Sequence, residues 1–156
     1  MNSTDPTHAS HEQFMRRCIE LAHIARQNSN TPVGSVLVLD GTIIGEGIET
    51  LPSSNDLTGH AEVLACQDAV NKTGSKRLDG TTLYTTAEPC FMCSYIIRQS
   101  GIALLVYGME TPLIGGVTSS MPILTDVGLS SWGKPPTVID GFLLDECRAL
   151  RNLTSG

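Results

Sequence analysis

The side chains of this chain best suited to chemistry lie in two short runs, Gly59-His60-Ala61-Glu62 and Glu88-Pro89-Cys90-Phe91-Met92-Cys93. One histidine and two cysteines make three zinc ligands, and nothing in the spacing recruits Glu62 as a fourth. Structural zinc sites are normally closed by four protein ligands; catalytic sites hold three and leave a position for water. Water in that position has its pKa lowered to about 7, and a neighbouring carboxylate can take a proton and pass it on. His60, Cys90 and Cys93 as zinc ligands, with Glu62 as proton carrier, therefore point to metal-assisted hydrolysis.

The spacing dictates where these residues must sit. His60 and Glu62 would face different ways in the middle of a helix, so they can approach one metal only at a helix tip, entered through Gly59. Cys90 and Cys93 differ by three, which places both sulfurs on one face of a first helical turn. Helix N-termini carry partial positive charge, favour anionic ligands and lower a thiol's pKa. The sequence predicts a helix from about Gly59 to Val70. A second starts with Pro89 in its first turn and runs to Gln99, before Gly101 as a C-terminal cap. Thr81–Thr86 reads as the strand that delivers the chain to Pro89. Cys66, two turns along the first helix, is expected to pack in the core.

Ahead of these elements, Ser10-His11-Glu12-Gln13 reads as a capping box with Ser10 at the N-cap, opening a helix over residues 11–27. Phe14, Cys18, Leu21, Ala22 and Ala25 form its apolar stripe. Residues 1–9 are expected to be a loose tail and residues 10–156 a single domain. His8, His11 and His23 are assigned to the surface or to capping. Val33–Leu39 and Thr42–Ile48 flank Asp40-Gly41 and read as a tight hairpin. Ile102–Tyr107 has the continuous apolarity of a strand buried on both faces. From Gly108 to Pro136 the chain is rich in Gly, Pro, Ser and Thr, a length typical of lids and binding loops, with a short helix expected within 120–127. Thr137–Ile139 reads as a last strand and Leu143–Leu153 as a closing helix containing Cys147. This order implies a mixed sheet with helices on both faces.

Composition narrows the function. The net charge is −6, and the ten Lys and Arg residues form no run, which weighs against gripping many phosphates. Nucleic acid is thus a disfavoured partner, though a local basic patch stays open. No segment approaches the roughly 20 apolar residues needed to span a bilayer. The start lacks the features of a signal peptide, and an odd number of cysteines, five, suits a reducing, cytoplasmic setting.

The pattern His-x-Glu followed by Pro-Cys-x-x-Cys resembles the zinc-dependent cytidine and nucleobase deaminase superfamily. Thr31-Pro32-Val33-Gly34-Ser35-Val36-Leu37-Val38, Ser54-Asn55-Asp56, and Thr82-Leu83-Tyr84-Thr85-Thr86-Ala87-Glu88-Pro89-Cys90 are similar to one branch of it. That branch holds guanine deaminase, fungal cytosine deaminase and bacterial tRNA adenosine deaminase. The resemblance implies an α/β fold, a three-layer α/β/α sandwich around a five-stranded mixed sheet, assembled as a homodimer or higher oligomer. It also implies that His60, Cys90 and Cys93 bind zinc, and that Glu62 protonates a ring nitrogen and then the leaving amine, which departs as ammonia. Pro32 and Val33 match positions that line the base pocket, and backbone groups of Ala61, Ala87 and Glu88 match substrate contacts.

One departure bears on the substrate. The residue eleven before the zinc histidine is usually an asparagine in the guanine and tRNA deaminases; here it is Glu49. An ionised carboxylate only accepts hydrogen bonds, so a site using Glu49 wants donors from its ligand; the alternative is that Glu49 faces solvent. Trp132, in the variable segment, either stacks on a heterocycle or packs. The leading expectation is hydrolytic deamination of a small amino-heterocycle. The alternative is a tRNA adenosine deaminase, for which Arg148 and Arg151 supply two cations. A third reading, an inactive zinc-stabilised binding domain, leaves Glu62 without a purpose.

Overall fold

In a computed structural model, which describes residues 6–152, the chain forms five strands and four α-helices. β1 (Gly34–Leu39) and β2 (Thr42–Ile48) make the expected hairpin. Asp40 and Gly41 both have positive φ, 49° and 77°, as a turn matched to strand twist requires. β3 (Thr82–Ala87), β4 (Leu104–Met109) and β5 (Thr137–Ile139) follow. The strand order is β2-β1-β3-β4-β5; β1 runs antiparallel to β2 and β3, and the last three strands are mutually parallel.

Alternation along the central strands assigns the layers. Val36, Tyr84 and Val106 point to one face, covered by α1 (Pro6–Gln27) and α4 (Leu144–Arg151). Leu37, Leu83 and Leu105 point to the other, under α2 (Ala61–Thr73) and α3 (Phe91–Ser100). This is the five-stranded α/β/α sandwich that the resemblance implied.

α1 starts a turn earlier than its capping box suggests, at Pro6, so Ser10 lies inside the helix and is not its N-cap. Proline is well suited to open a helix, because its missing N–H is an orphan there anyway. The buried stripe also takes in His11, which leaves the surface assigned to it and sits 2.7 Å from the Tyr84 hydroxyl. Cys18, Cys66 and Cys147 are buried, as expected.

α2 lies unusually close to the sheet. Gly45 and Gly47 of β2 face Ala61, Ala65 and Ala69, and a β-carbon on Gly47 would collide with the carbonyl of Ala61. The contact sets the depth at which the first turn of α2 meets β1 and β3.

The long segment after β4 contains no α-helix over 120–127, contrary to expectation; its one helical piece is a 3-10 turn at Ser130–Trp132. Two buried charges organise it instead. Arg98, on the inner face of α3, donates to the carbonyls of Ile123 (2.8 Å), Asp126 (2.6 Å), Leu129 (3.0 Å) and Gly133 (2.5 Å). Glu88, after β3, accepts from the N–H groups of Thr111 (2.9 Å), Val117 (2.8 Å) and Thr118 (2.7 Å), and from the Thr118 hydroxyl (2.6 Å). Leu124 fills the space between, fully buried. Among the described residues no helix is long and apolar enough to cross a membrane.

Replacing Arg98 removes four charge-assisted hydrogen bonds that no apolar side chain can replace. Arg98→Leu is expected to lower stability by about 2–4 kcal/mol and to open the segment 122–133 to proteolysis. Denaturant titration and mapping of limited-proteolysis fragments check this; an unchanged midpoint with no cleavage there would refute the anchoring role.

Candidate metal centre and catalytic site

The two tips arrive as the spacing demands. His60 is the N-cap of α2, with extended backbone (φ −81°, ψ 143°), and Cys90 is the N-cap of α3 (φ −72°, ψ −179°). Neither side chain makes a capping hydrogen bond, so both project away from their own helix. Pro89 stands one residue before the N-cap and not in the first turn as predicted. Extended backbone at Cys90 is what aims its sulfur outward, and the Pro89 carbonyl is engaged by the N–H of Gly116 at 2.9 Å.

Cys90 Sγ lies 3.4 Å and Cys93 Sγ 3.5 Å from His60 Nδ1, and the two sulfurs are 3.7 Å apart. Zinc bond lengths at tetrahedral angles give S–N and S–S edges of about 3.5 and about 3.8 Å. The triangle therefore fits one zinc ion with a fourth position left open. Among the described residues this is the group with metal-ligand geometry, and Glu62 stands outside it. The hydrogen bond between the two sulfurs holds the Cys90 thiol down to about 5, while the same contact and burial push Cys93 up.

Glu62 is buried beneath this triangle. Its Oε2 is 3.3 Å from Cys93 Sγ, and its Oε1 accepts from the Thr85 hydroxyl at 3.0 Å. Burial raises its pKa above the ordinary carboxylate value, the direction that favours a group able to return a proton as well as take one. Thr85 in turn accepts from the Ser35 hydroxyl at 2.8 Å. Sequence reasoning missed both residues. The signal is that Ser35 and Thr85 are paired across β1 and β3 and share the parity of Leu37 and Leu83, so two polar residues occupy inward positions of strands that are otherwise apolar there.

Glu49 is only 8% exposed, which removes the solvent-facing alternative. Its Oε2 accepts from the Ala61 N–H at 3.1 Å, doing for α2 the capping that His60 does not. Burial raises its pKa to about 7 against the opposing charge of His60. Pro32, Val33 and Ala87 line a cavity of about 310 Å³ with Thr31, Met109, Thr111 and Arg151. Glu88 sits beside Ala87, its backbone N–H on the Met109 carbonyl and its side chain committed to the loop. Trp132 is placed elsewhere: it packs edge-on against Tyr95, with ring centroids 5.0 Å apart. Tyr95 is two positions from Cys93 and so on a different face of α3.

Residues 8–109 match the family model of the cytidine and deoxycytidylate deaminase zinc-binding region. The chain belongs to this deaminase family. A tRNA-specific adenosine deaminase of Streptococcus pyogenes serotype M1 is 40% identical over 117 residues, 75% of this chain and 68% of the relative. One from Aquifex aeolicus is 34% identical over 145 residues, 90% of this chain and 96% of that protein. Among solved structures, one from a study of A-to-I editing by tRNA:A34 deaminases superposes with a TM-score of 0.83 at 32% identity, covering 89% of this chain and 99% of the other. Guanine deaminase from Bacillus subtilis gives 0.62 at 40% identity over 64% of each chain. Family membership assigns zinc to the cluster that the geometry fits.

Cys90→Ala and Cys93→Ala are each expected to abolish stoichiometric zinc, measured by elemental analysis after dialysis, while the far-ultraviolet circular dichroism stays native. A full zinc complement in either variant would mean that the ligands are misassigned.

Proposed function

We propose that this deaminase-family chain hydrolyses an exocyclic amino group from a nucleobase ring, and that adenosine displayed in a transfer RNA is its substrate. The chemistry is carried by the position of Glu62, buried against Cys93 yet outside the ligand triangle. The choice of substrate is supported by the likeness to the Aquifex aeolicus tRNA-specific adenosine deaminase over 90% of this chain and 96% of that protein. Arg151 adds support, because it lines the cavity of Pro32, Val33 and Ala87, where a backbone phosphate beside an inserted base can reach it.

Zinc bound by His60, Cys90 and Cys93 supplies Lewis acidity that makes a water nucleophilic near neutral pH. Glu62 Oε2 takes one proton from the water and gives it to the ring nitrogen, then takes the second from the hydroxyl now on the ring carbon and delivers it to the departing amine. The balance is water plus amino-heterocycle to oxo-heterocycle plus ammonia. In this reading Glu49 at the Ala61 tip and the cavity of Pro32 and Val33 together hold the ring with its amino-bearing carbon toward Glu62. A homodimer is part of the proposal. Leu57, on the loop into His60, and Leu113, on the loop joined to Cys90 through Gly115, are 89% and 90% exposed, and apolar exposure beside the site suits a second copy.

A second reading, deamination of a free amino-heterocycle, is favoured by Glu49. A carboxylate there wants a ring N–H or amino donor, and the net charge of −6 does not help an RNA to dock. Arg148, one of two cations in the closing helix, is already paired with Glu110 at 2.7 Å.

The deciding assay follows inosine formation in transfer RNA and ammonia release from guanine, cytosine, isocytosine, adenine, amino-triazines and the available nucleosides. Glu62→Ala serves as the blank, with zinc retained and turnover reduced about 10²–10⁴-fold. Inosine in the RNA supports the proposal; turnover confined to a free heterocycle replaces it with the second reading. Substantial activity in Glu62→Ala removes the mechanism under either. Glu49→Gln keeps an acceptor for Ala61 but loses the anion. It is expected to lower kcat/KM about 10–100-fold if the carboxylate meets substrate donors, and to leave it within a few-fold if Glu49 only caps α2.

A further inference from the structure

Glu62 belongs to a buried hydrogen-bond chain with a fixed direction. An ionised carboxylate has no proton to give, so the Thr85 hydroxyl must donate to Oε1. Thr85 has then used its one proton, and its oxygen accepts from Ser35 Oγ at 2.8 Å. Ser35 and Thr85 are fully buried and face each other across β1 and β3. The chain therefore runs Ser35 to Thr85 to Glu62 and stops there.

The reverse arrangement is disfavoured. If Oε1 carried a proton and donated it to Thr85, Thr85 would have to donate to Ser35. The Ser35 hydroxyl would then need another acceptor, and among the described residues Thr85 is the partner recorded for it. A buried hydroxyl with no acceptor penalises that state by roughly tenfold or more. Oε2, by contrast, faces Cys93 at 3.3 Å, on the side of the metal ligands.

We propose that Thr85 and Ser35 are positioning residues that divide the work of the Glu62 carboxylate, reserving Oε1 as a fixed acceptor and leaving Oε2 to carry the proton between water, ring nitrogen and leaving amine. The proposal rests on the deaminase reading of Glu62. The chemistry is unchanged: each of the two protons passes through the same oxygen. Ser35 acts only through Thr85, and Thr85 only through Oε1.

The test uses the zinc-loaded full chain and two readouts. High-resolution crystal structures of wild type, Thr85→Val, Thr85→Ser and Ser35→Ala show the carboxylate plane directly. The expected result is a full zinc complement throughout, with Glu62 rotated about its last side-chain bond in Thr85→Val alone. Inosine formation in transfer RNA, or turnover of the heterocycle that the panel reveals, gives the second readout. Thr85→Val is expected to lower kcat about tenfold with KM within about twofold, since one charge-assisted hydrogen bond is lost. Thr85→Ser restores kcat. Ser35→Ala lowers kcat about threefold by itself and adds nothing in the Thr85→Val background, because residues acting in series are not additive. An unmoved carboxylate in Thr85→Val, or Ser35→Ala and Thr85→Val effects that multiply, overturns the proposal. If wild type is silent on every substrate, the functional reading fails, and the carboxylate orientation still decides this one.

Discussion

A helix can lend its first side chain to a metal only if something else satisfies the N–H groups exposed at its tip. Both helix ends of this centre face that constraint, because His60 and Cys90 occupy N-cap positions and neither caps. At α2 the solution is Glu49, which reaches from the end of β2 to the N–H of Ala61 and releases the imidazole for ligation. The end of β2, the loop over 49–60 and the tip of α2 are therefore one mechanical unit. Gly45 and Gly47 hold that unit against the sheet, and Glu62 gains its depth, and with it Thr85, from the same close approach.

Depth has an electrostatic consequence. Glu62 and Glu49 are both buried, each stands above the usual carboxylate range, and the charge of Glu62 raises Glu49 further. Two carboxylates in one dry site resist being ionised together. A dication on His60, Cys90 and Cys93 reverses that preference. Metal and carboxylates thus form one charge system, and hydrogen bonds from Thr85 and Ala61 decide which oxygens remain available within it.

What was legible in the sequence follows from range. His60, Glu62, Cys90 and Cys93 could be read because each pair sits within one helical turn, where spacing alone fixes direction. The hairpin was equally plain, since Asp40-Gly41 announces its own dihedrals. His11 was misread because its partner, Tyr84, lies on another element, and no local pattern reveals a buried imidazole. The early start of α1 was masked by a capping box that is chemically sound but superseded by Pro6. Glu49 was seen as a departure from the family pattern, yet its capping of Ala61 depends on a loop path that no spacing encodes. The acidic balance pointed to a small substrate, whereas the Aquifex aeolicus relative, aligned over 90% of this chain, is a tRNA-specific adenosine deaminase; net charge describes the whole surface and leaves a local patch open.

The segment beyond β4 is hung from Glu88 and Arg98, which bracket Cys90 and Cys93 in the sequence. Of the eight hydrogen bonds that these two side chains make to it, all but the one from the Thr118 hydroxyl go to main-chain N–H or C=O groups. Main-chain groups are present whatever side chains the segment carries. The frame of the segment is thereby separated from most of its lettering: apart from Gly115, Gly116, Gly133 and the buried Leu124, residues between 110 and 133 can be rewritten while their path, and the zinc cysteines that share its anchors, stay where they are. A fold built this way can change what it admits without rebuilding where it reacts.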